Sequence, residues 1–329
     1  MESRMSRPDP IRIYLDTWVW IDLMRGHFGQ APEYNRIAKE VLAKSHQAVF
    51  PLSFTHFSEA LRQLDHEKRK KLAEYMIRVS HGWTILPAWS VIVPEIKNAC
   101  LKFLGLPPKY DLPKLVFKKG ISQLLGQVGT LEYKPGAKRL TPEMEQRILG
   151  TVESADTLLL VMETGLGRDF IENDLERLRA TARKLESIRT VESKRAKNND
   201  ERRKFATVSY FTEEVNPTAI RFLLSINQNP GPFADRVFKD EKAVENFFQA
   251  MPTSYCNVQL TLFRDIYAKK VQSNDMYDIS SLSIAIPYSD VVVCEKAWHS
   301  AVKKMKLDSL YGTTVLRSIK ELGSIVAQI

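Results

Sequence analysis

The stretch "SNDMYDISSLSIAIPYSDVVVCEKAW" (residues 273–298) decides how this chain folds. Its centre, Val291-Val292-Val293, is a short unbroken run of β-branched residues. Such a run, without apolar–polar alternation, reads as a strand covered on both faces. "MYDISSLSIAI" before it has helical periodicity, and "EKAWHSAVKKM" after it reads as a second helix. Helix, buried strand and helix in series are the parts of a parallel sheet. Four acids, Asp275, Asp278, Asp290 and Glu295, fall within 21 positions around that strand.

The same alternation recurs at the other end of the chain. "IRIYLD" (11–16) is a strand ending in an acid, and "TWVWIDLMRG" is a helix closing at Gly26. "YNRIAKEVLAKSHQ" is an amphipathic helix. "AVFPLS" (48–53) is the second strand, and Ser53 is the expected N-cap of a helix in "FTHFSEALRQL". "GWTILPAW" (82–89) is a third short strand stopped by proline, and "GTTVLRSIKELGSIVAQI" supplies the last strand and helix.

From about residue 95 to 270 the pattern is mostly helical. Thr141 followed by Pro142 marks a helix start over "TPEMEQRILGTVESADTLLLVMETGL". Residues 168–204 are strongly charged and read as a solvated helix pair or projecting hairpin, and "NQNPGPF" (227–233) reads as a loop. The expected organisation is one α/β unit in two halves, 11–95 and 272–326, with a helical insertion or second domain over 96–271.

The 329 residues carry a formal net charge of +9 and are 44% hydrophobic, enough for one large core or two smaller ones. The apolar runs are too short to span a bilayer, and "MESRMSRPDPIRIYLD" lacks the apolar stretch of a secretory signal. A soluble, cytoplasmic protein is expected. Three scattered cysteines argue against a disulfide framework, and no His or Cys spacing suggests zinc. A metal, if used, is then held by oxygen ligands. The basic balance is compatible with an anionic partner such as nucleic acid, and equally with solubility alone.

In a parallel sheet, functional groups gather beyond the carboxyl ends of the strands. Asp16 ends the first strand, Glu295 follows the valine strand, Asp278 opens a helix just before it, and Glu59 lies in the helix after "AVFPLS". If they converge, their charges repel, and hard cations make such a cluster tolerable. Each also has a plainer reading. Asp16 and Asp278 serve as helix caps, Glu295 is a first-turn acid favoured by the helix dipole, Asp275 is a turn residue, and Asp290 is a strand-entry turn residue. Glu59, on the apolar "FSEAL" face, is harder to explain as structure alone.

The order of these acids resembles the PIN-domain nucleases. The family's strand ending in Asp followed by Thr or Ser matches "YLDTWVWIDL", its helical Glu matches "PLSFTHFSEAL", its Asp at the start of a late helix matches "MYDISSLSIAIPY", and its final acid after a strand matches "VVVCEK". The resemblance covers roughly residues 11–95 and 272–326. It implies a PIN-like parallel sheet flanked by helices, here interrupted by a long helical insertion. It also implies Asp16, Glu59, Asp278 and Glu295 as ligands of Mg²⁺ or Mn²⁺, with Thr17 supporting them. Two departures stand out. Cys294-Glu295 replaces the family's Thr-Asp, with Asp290 close enough in sequence to substitute, and the insertion is unusually long.

The implied activity is a metal-dependent endoribonuclease. The alternatives are a catalytically weak or inactive PIN-like scaffold that binds RNA or protein, and a deoxyribonuclease in a defence role. Lys194, Arg195, Lys197, Arg202, Arg203 and Lys204 are candidate phosphate contacts, although a solvated face or an arm docking a regulatory protein partner explains them equally.

Overall fold

A computed structural model describes residues 10–126, 140–166, 168–169, 172, 176, 179–183, 186–187, 196–267 and 271–329. β1 (Ile11–Leu15) leads into α1 (Thr17–His27) and α2 (Asn35–Lys44). β2 (Ala48–Val49) precedes α3 (Phe54–Arg62) and α4 (His66–Ser80), and β3 (Trp83–Ile85) precedes α5 (Ala88–Phe103) and α6 (Leu112–Val116). After β4 (Phe117–Lys119) come α7 (Ile121–Leu124), α8 (Pro142–Val152), α9 (Ala155–Thr164), α10 (Asn199–Tyr210) and α11 (Asn216–Ser225). Then follow α12 (Pro230–Val237), α13 (Glu241–Gln249), α14 (Pro252–Tyr267) and α15 (Ser273–Tyr288). β5 (Val291–Val293), α16 (Lys296–Lys304), α17 (Leu307–Tyr311), β6 (Thr314–Leu316) and α18 (Ile319–Val326) complete the order.

Four strands form a parallel sheet in the order β2-β1-β5-β6, so the two central strands come from opposite ends of the chain. Alternate side chains enter opposite cores, as the two-residue period of a strand requires. Ile13, Leu15, Val291 and Val293 pack with α1, α2 and α18 residues. Tyr14 and Val292 pack with α15 and α16 on the other face. Both faces are therefore covered by helices, as the valine run predicts.

The third expected strand forms but leaves the main sheet. β3 pairs antiparallel with β4 and touches the main sheet's line through a single parallel bridge, Leu52 to Thr84. β4 lies in the stretch expected to be mostly helical. Its three residues give too short a pattern to stand out, and its pairing with β3 is what makes it a strand.

Two expected segments are corrected. "NQNPGPF" is a loop only at its start, because Asn229 accepts the Gly231 N–H and α12 begins at Pro230. Proline suits that first helical position, where no N–H bond is needed. The helix expected from Thr141 does start there, with Thr141 capping Met144 N–H, but it breaks at Ser154, which caps α9. The expected boundary at residues 95 and 96 falls inside α5. Most of the charged stretch 168–204, with Lys194 and Arg195, lies outside the described residues.

The insertion has its own aromatic core, in which Phe211, Phe222, Phe233, Phe247 and Phe248 pack with Ile96 and Cys100 of α5. Between α10 and α11 the helix widens into a π turn, Phe211–Val215, closed by the Asn216 N–H bonding to the Phe211 carbonyl. Pro217 follows directly. Its ring would clash with the carbonyl four residues back in a regular helix, and the wider turn relieves that clash.

Glu95 ties this layer to the sheet. It is wholly buried on α5 and accepts the backbone N–H groups of Thr253 and Ser254 at the start of α14, and the Tyr288 hydroxyl of α15. Burial pushes its carboxyl up to about 7 against these hydrogen bonds. Glu95→Ala strands those donors at about 1–3 kcal/mol each. A loss of about 3 kcal/mol or more in urea unfolding is expected. Glu95→Gln should lose less, because it keeps one acceptor oxygen.

Candidate functional site

Parallel pairing brings two of the acids together. The Asp16 N–H bonds to the Val293 carbonyl at 3.0 Å, so the chain leaves β1 and β5 at the same edge. Asp16 is the first residue beyond β1, and Glu295 is the second beyond β5, after the buried Cys294. Asp16 is also the α1 N-cap, accepting the Thr17 N–H at 2.7 Å. The capping reading is thus correct for Asp16, and the same carboxylate still faces the cleft. Glu295 holds the N-cap position of α16 without a side-chain capping bond.

Glu59 on α3 and Asp278 on α15 face the same space. Together with Asp16, Thr17 and Glu295 they line a cleft of about 530 Å³. Asp278 is no cap, because α15 starts five residues earlier at Ser273. Its carboxylate accepts the Trp298 indole N–H at 2.9 Å. Glu59 is paired with Arg62, one turn later on α3, at 3.5 Å. Asp275 lines the cleft too, while accepting the Gln272 N–H in a capping box.

Asp290 lies at the other end of β5. Its carboxylate accepts the Arg12 N–H at 2.8 Å, and its own N–H bonds to the Arg12 carbonyl. It clamps β5 to β1 at the strand entrance and is not among the residues lining the cleft.

The four described basic candidates are elsewhere. Lys197, Arg202, Arg203 and Lys204 sit at or just before α10, none lines the cleft, and Lys204 pairs with Glu241 of α13.

The electrostatics follow from this crowding. Asp16 is pushed up to about 7, first by burial, then by the nearby Glu295 and Glu59 charges, against the Thr17 N–H bond. Asp278 is also pushed up to about 7, by burial and by Asp16, Glu295 and Glu59, against the Trp298 bond. Burial disfavours the ionised form, and like charges add to that. Two polar atoms at the site are orphaned. Thr17 Oγ1 and Trp18 Nε1 are buried without a hydrogen-bond partner among the described residues. An oxygen-rich donor set with an orphaned hydroxyl beside it suits a hard divalent cation and its waters. Among the described residues no three His, Cys, Asp or Glu are already drawn together as a chelating group, so holding an ion requires these side chains to close on it.

Trp298, Trp18 and Arg264 also line the cleft and were missed from sequence. The tryptophans had a signal. Each follows an acid at a strand end by two or three residues, in the first turn of the next helix. Arg264 had none, since α14 reaches the cleft only through packing on α15. In comparisons with known proteins, no family model, curated protein or solved structure matches this chain.

Both raised acids favour the folded state when protonated. Their stabilising contribution is complete below about pH 4 and is lost as pH rises through about 7. Asp16→Asn keeps an N-cap and removes one charge. Without divalent ions it should raise Tm at pH 8, by about 1.4 kcal/mol of stability for each pKa unit relieved. At pH 4 it should change little. Thermal melts across pH 4–8 check this, and a lowered Tm at pH 8 contradicts it.

Proposed function

We propose that the chain is a metal-dependent nuclease, with RNA the expected substrate, built on a PIN-like α/β frame. The observation that carries this reading is the convergence of Asp16, Glu59, Asp278 and Glu295 on one cleft from four separate elements. That gathering costs stability, since two of the acids are pushed up to about 7. A structural role does not call for such a cost.

Asp16, Asp278, Glu295 and Glu59 would hold Mg²⁺ or Mn²⁺. The ion, when bound, would offset the repulsion, lower the pKa of a water and polarise the phosphate. Asp16 is positioned by the Thr17 N–H and Asp278 by the Trp298 indole, so both present their remaining oxygens in set directions. Thr17 Oγ1, buried without a partner beside Asp16, would have to turn toward the cleft to support a metal-bound water. Hydrolysis by in-line attack would leave a 5′-phosphate and a 3′-hydroxyl. A non-catalytic PIN-like scaffold is the second reading, favoured by the Arg62 pairing that already engages Glu59.

Single-stranded RNA and DNA incubated with Mn²⁺, Mg²⁺ or EDTA test this. Cleavage with metal and none with EDTA is expected. Asp16→Asn and Asp278→Asn should each lose at least on the order of 100-fold in rate, the upper range for residues that merely support metal ligands. Full activity in both variants contradicts the site, and no cleavage by the unaltered chain favours the scaffold.

Glu295 and Asp290 lie beyond opposite ends of β5, five positions or roughly 16 Å of extended chain apart. Glu295→Gln should depress cleavage and the Mn²⁺-induced rise in Tm. Asp290→Asn should lower stability and leave the rate per folded molecule near normal. The reverse pattern would place the fourth ligand at Asp290.

A further inference from the structure

A second cleft, of about 980 Å³, lies across α3 and α15 from the acid cleft. The two helices divide their faces between them. α3 gives Glu59 to the first and Thr55 to the second, and α15 gives Asp278 to the first and Tyr277 and Ser281 to the second. One side chain, Arg264, lines both.

Arg264 is buried, with 4% of its side chain exposed. Asp265 holds one edge of its guanidinium, accepting Nε–H at 2.8 Å and lying 2.7 Å from a terminal nitrogen. Among the described residues its ion pair is with Asp265, and none of the four cleft acids pairs with it. Among the described residues the remaining nitrogen has no partner, and it is not among the sealed, unpartnered atoms, so it is accessible in a residue that lines both clefts. A guanidinium braced on one edge and open on the other is suited to a phosphate.

The walls of the second cleft suit what a phosphate of this kind carries. Phe54 and Trp89 meet edge to face at 5.5 Å, and Trp89 is 52% exposed. Asn257 adds an amide, and Glu214, presented by the π turn, adds an acceptor. Aromatic faces with a few polar groups are what an unpaired base stacks on and bonds to. The volume is at the upper end of that usual for small-ligand pockets and has room for one nucleoside. A base inside a duplex keeps its faces stacked and its edge paired, and would have to leave the stack to enter such a cleft.

Resting on the nuclease reading, we propose that Arg264 and this second cleft form a nucleotide subsite. Arg264 takes a backbone phosphate of the substrate strand, and the cleft takes one unpaired base beside it. The enzyme would then act on single-stranded or looped nucleic acid.

The test is fluorescence anisotropy of the full chain with a labelled single-stranded hexamer, rA6, in Ca²⁺. It is repeated with rA6 analogues carrying one abasic position and with a duplex of the same length. Trp89→Ala should weaken rA6 binding about 10-fold, in line with the loss of one stacked base. It should add little to the loss from the most damaging abasic position, since both remove the same contact. Arg264→Gln should weaken every strand, and Arg264→Lys should restore part of the affinity. Duplex should bind more weakly and be indifferent to Trp89→Ala. Unchanged rA6 affinity in Trp89→Ala, or equal sensitivity with duplex, overturns the subsite even if Arg264→Gln fails to fold. Cleavage of rA6 in Mn²⁺ is read separately. Normal cleavage with unchanged Trp89→Ala binding removes the subsite and leaves the nuclease reading, whereas no cleavage with the expected binding losses removes the nuclease reading and leaves the subsite.

Discussion

The parallel pairing of β1 with β5 governs the rest of the molecule. It joins residues 11–15 to residues 291–293, across almost the whole chain. Once Asp16 N–H meets the Val293 carbonyl, the next residues of both strands must emerge at one edge. Asp290, at the entrance of β5, holds the register by accepting the Arg12 N–H. Between these strands the chain adds β2 at the edge of the sheet, then leaves the sheet and returns to it as β5. The helical layer does this while keeping its own aromatic core.

The acid cleft is the consequence, and it works against stability. A strand-end carboxylate that caps a helix is comfortable alone, as Asp16 is with the Thr17 N–H. With Glu59, Asp278 and Glu295 brought close, the same carboxylate resists ionisation. The fold partly answers this with the Trp298 indole on Asp278 and the Arg62 guanidinium on Glu59. It leaves Arg264, a buried guanidinium in the cleft wall, braced on Asp265 instead. A cation and a phosphate would complete the charge balance that the side chains leave open, which is the physical basis of the proposed activity.

The acids were legible in the sequence because each sits at a position that local pattern marks: a strand end, a first turn, or an apolar helix face broken by one charge. Asp290 was legible for the same reason, since the residue before a strand lies at the opposite edge from the residue after it. Trp298 and Trp18 carried a signal as well, since each follows a strand-end acid by two or three residues, whereas Arg264 carried none. β4 was too short to show a period. The loop reading of 227–233 failed because proline and glycine mark helix starts as well as turns, and Asn229 supplied the cap that decided between them.

The sequence by itself determined the central strands, their burial on both faces, and the helices that follow them. These depend on side-chain period, β-branching and capping, which act over a few residues. Only the tertiary structure decided that β3 would leave the main sheet for β4, that Glu95 would close the start of α14, and that Arg264 would stand between two clefts. Each of these depends on which distant backbone donor, strand edge or helix face comes within contact distance. Helix packing sets that geometry, and no local pattern of residues encodes it.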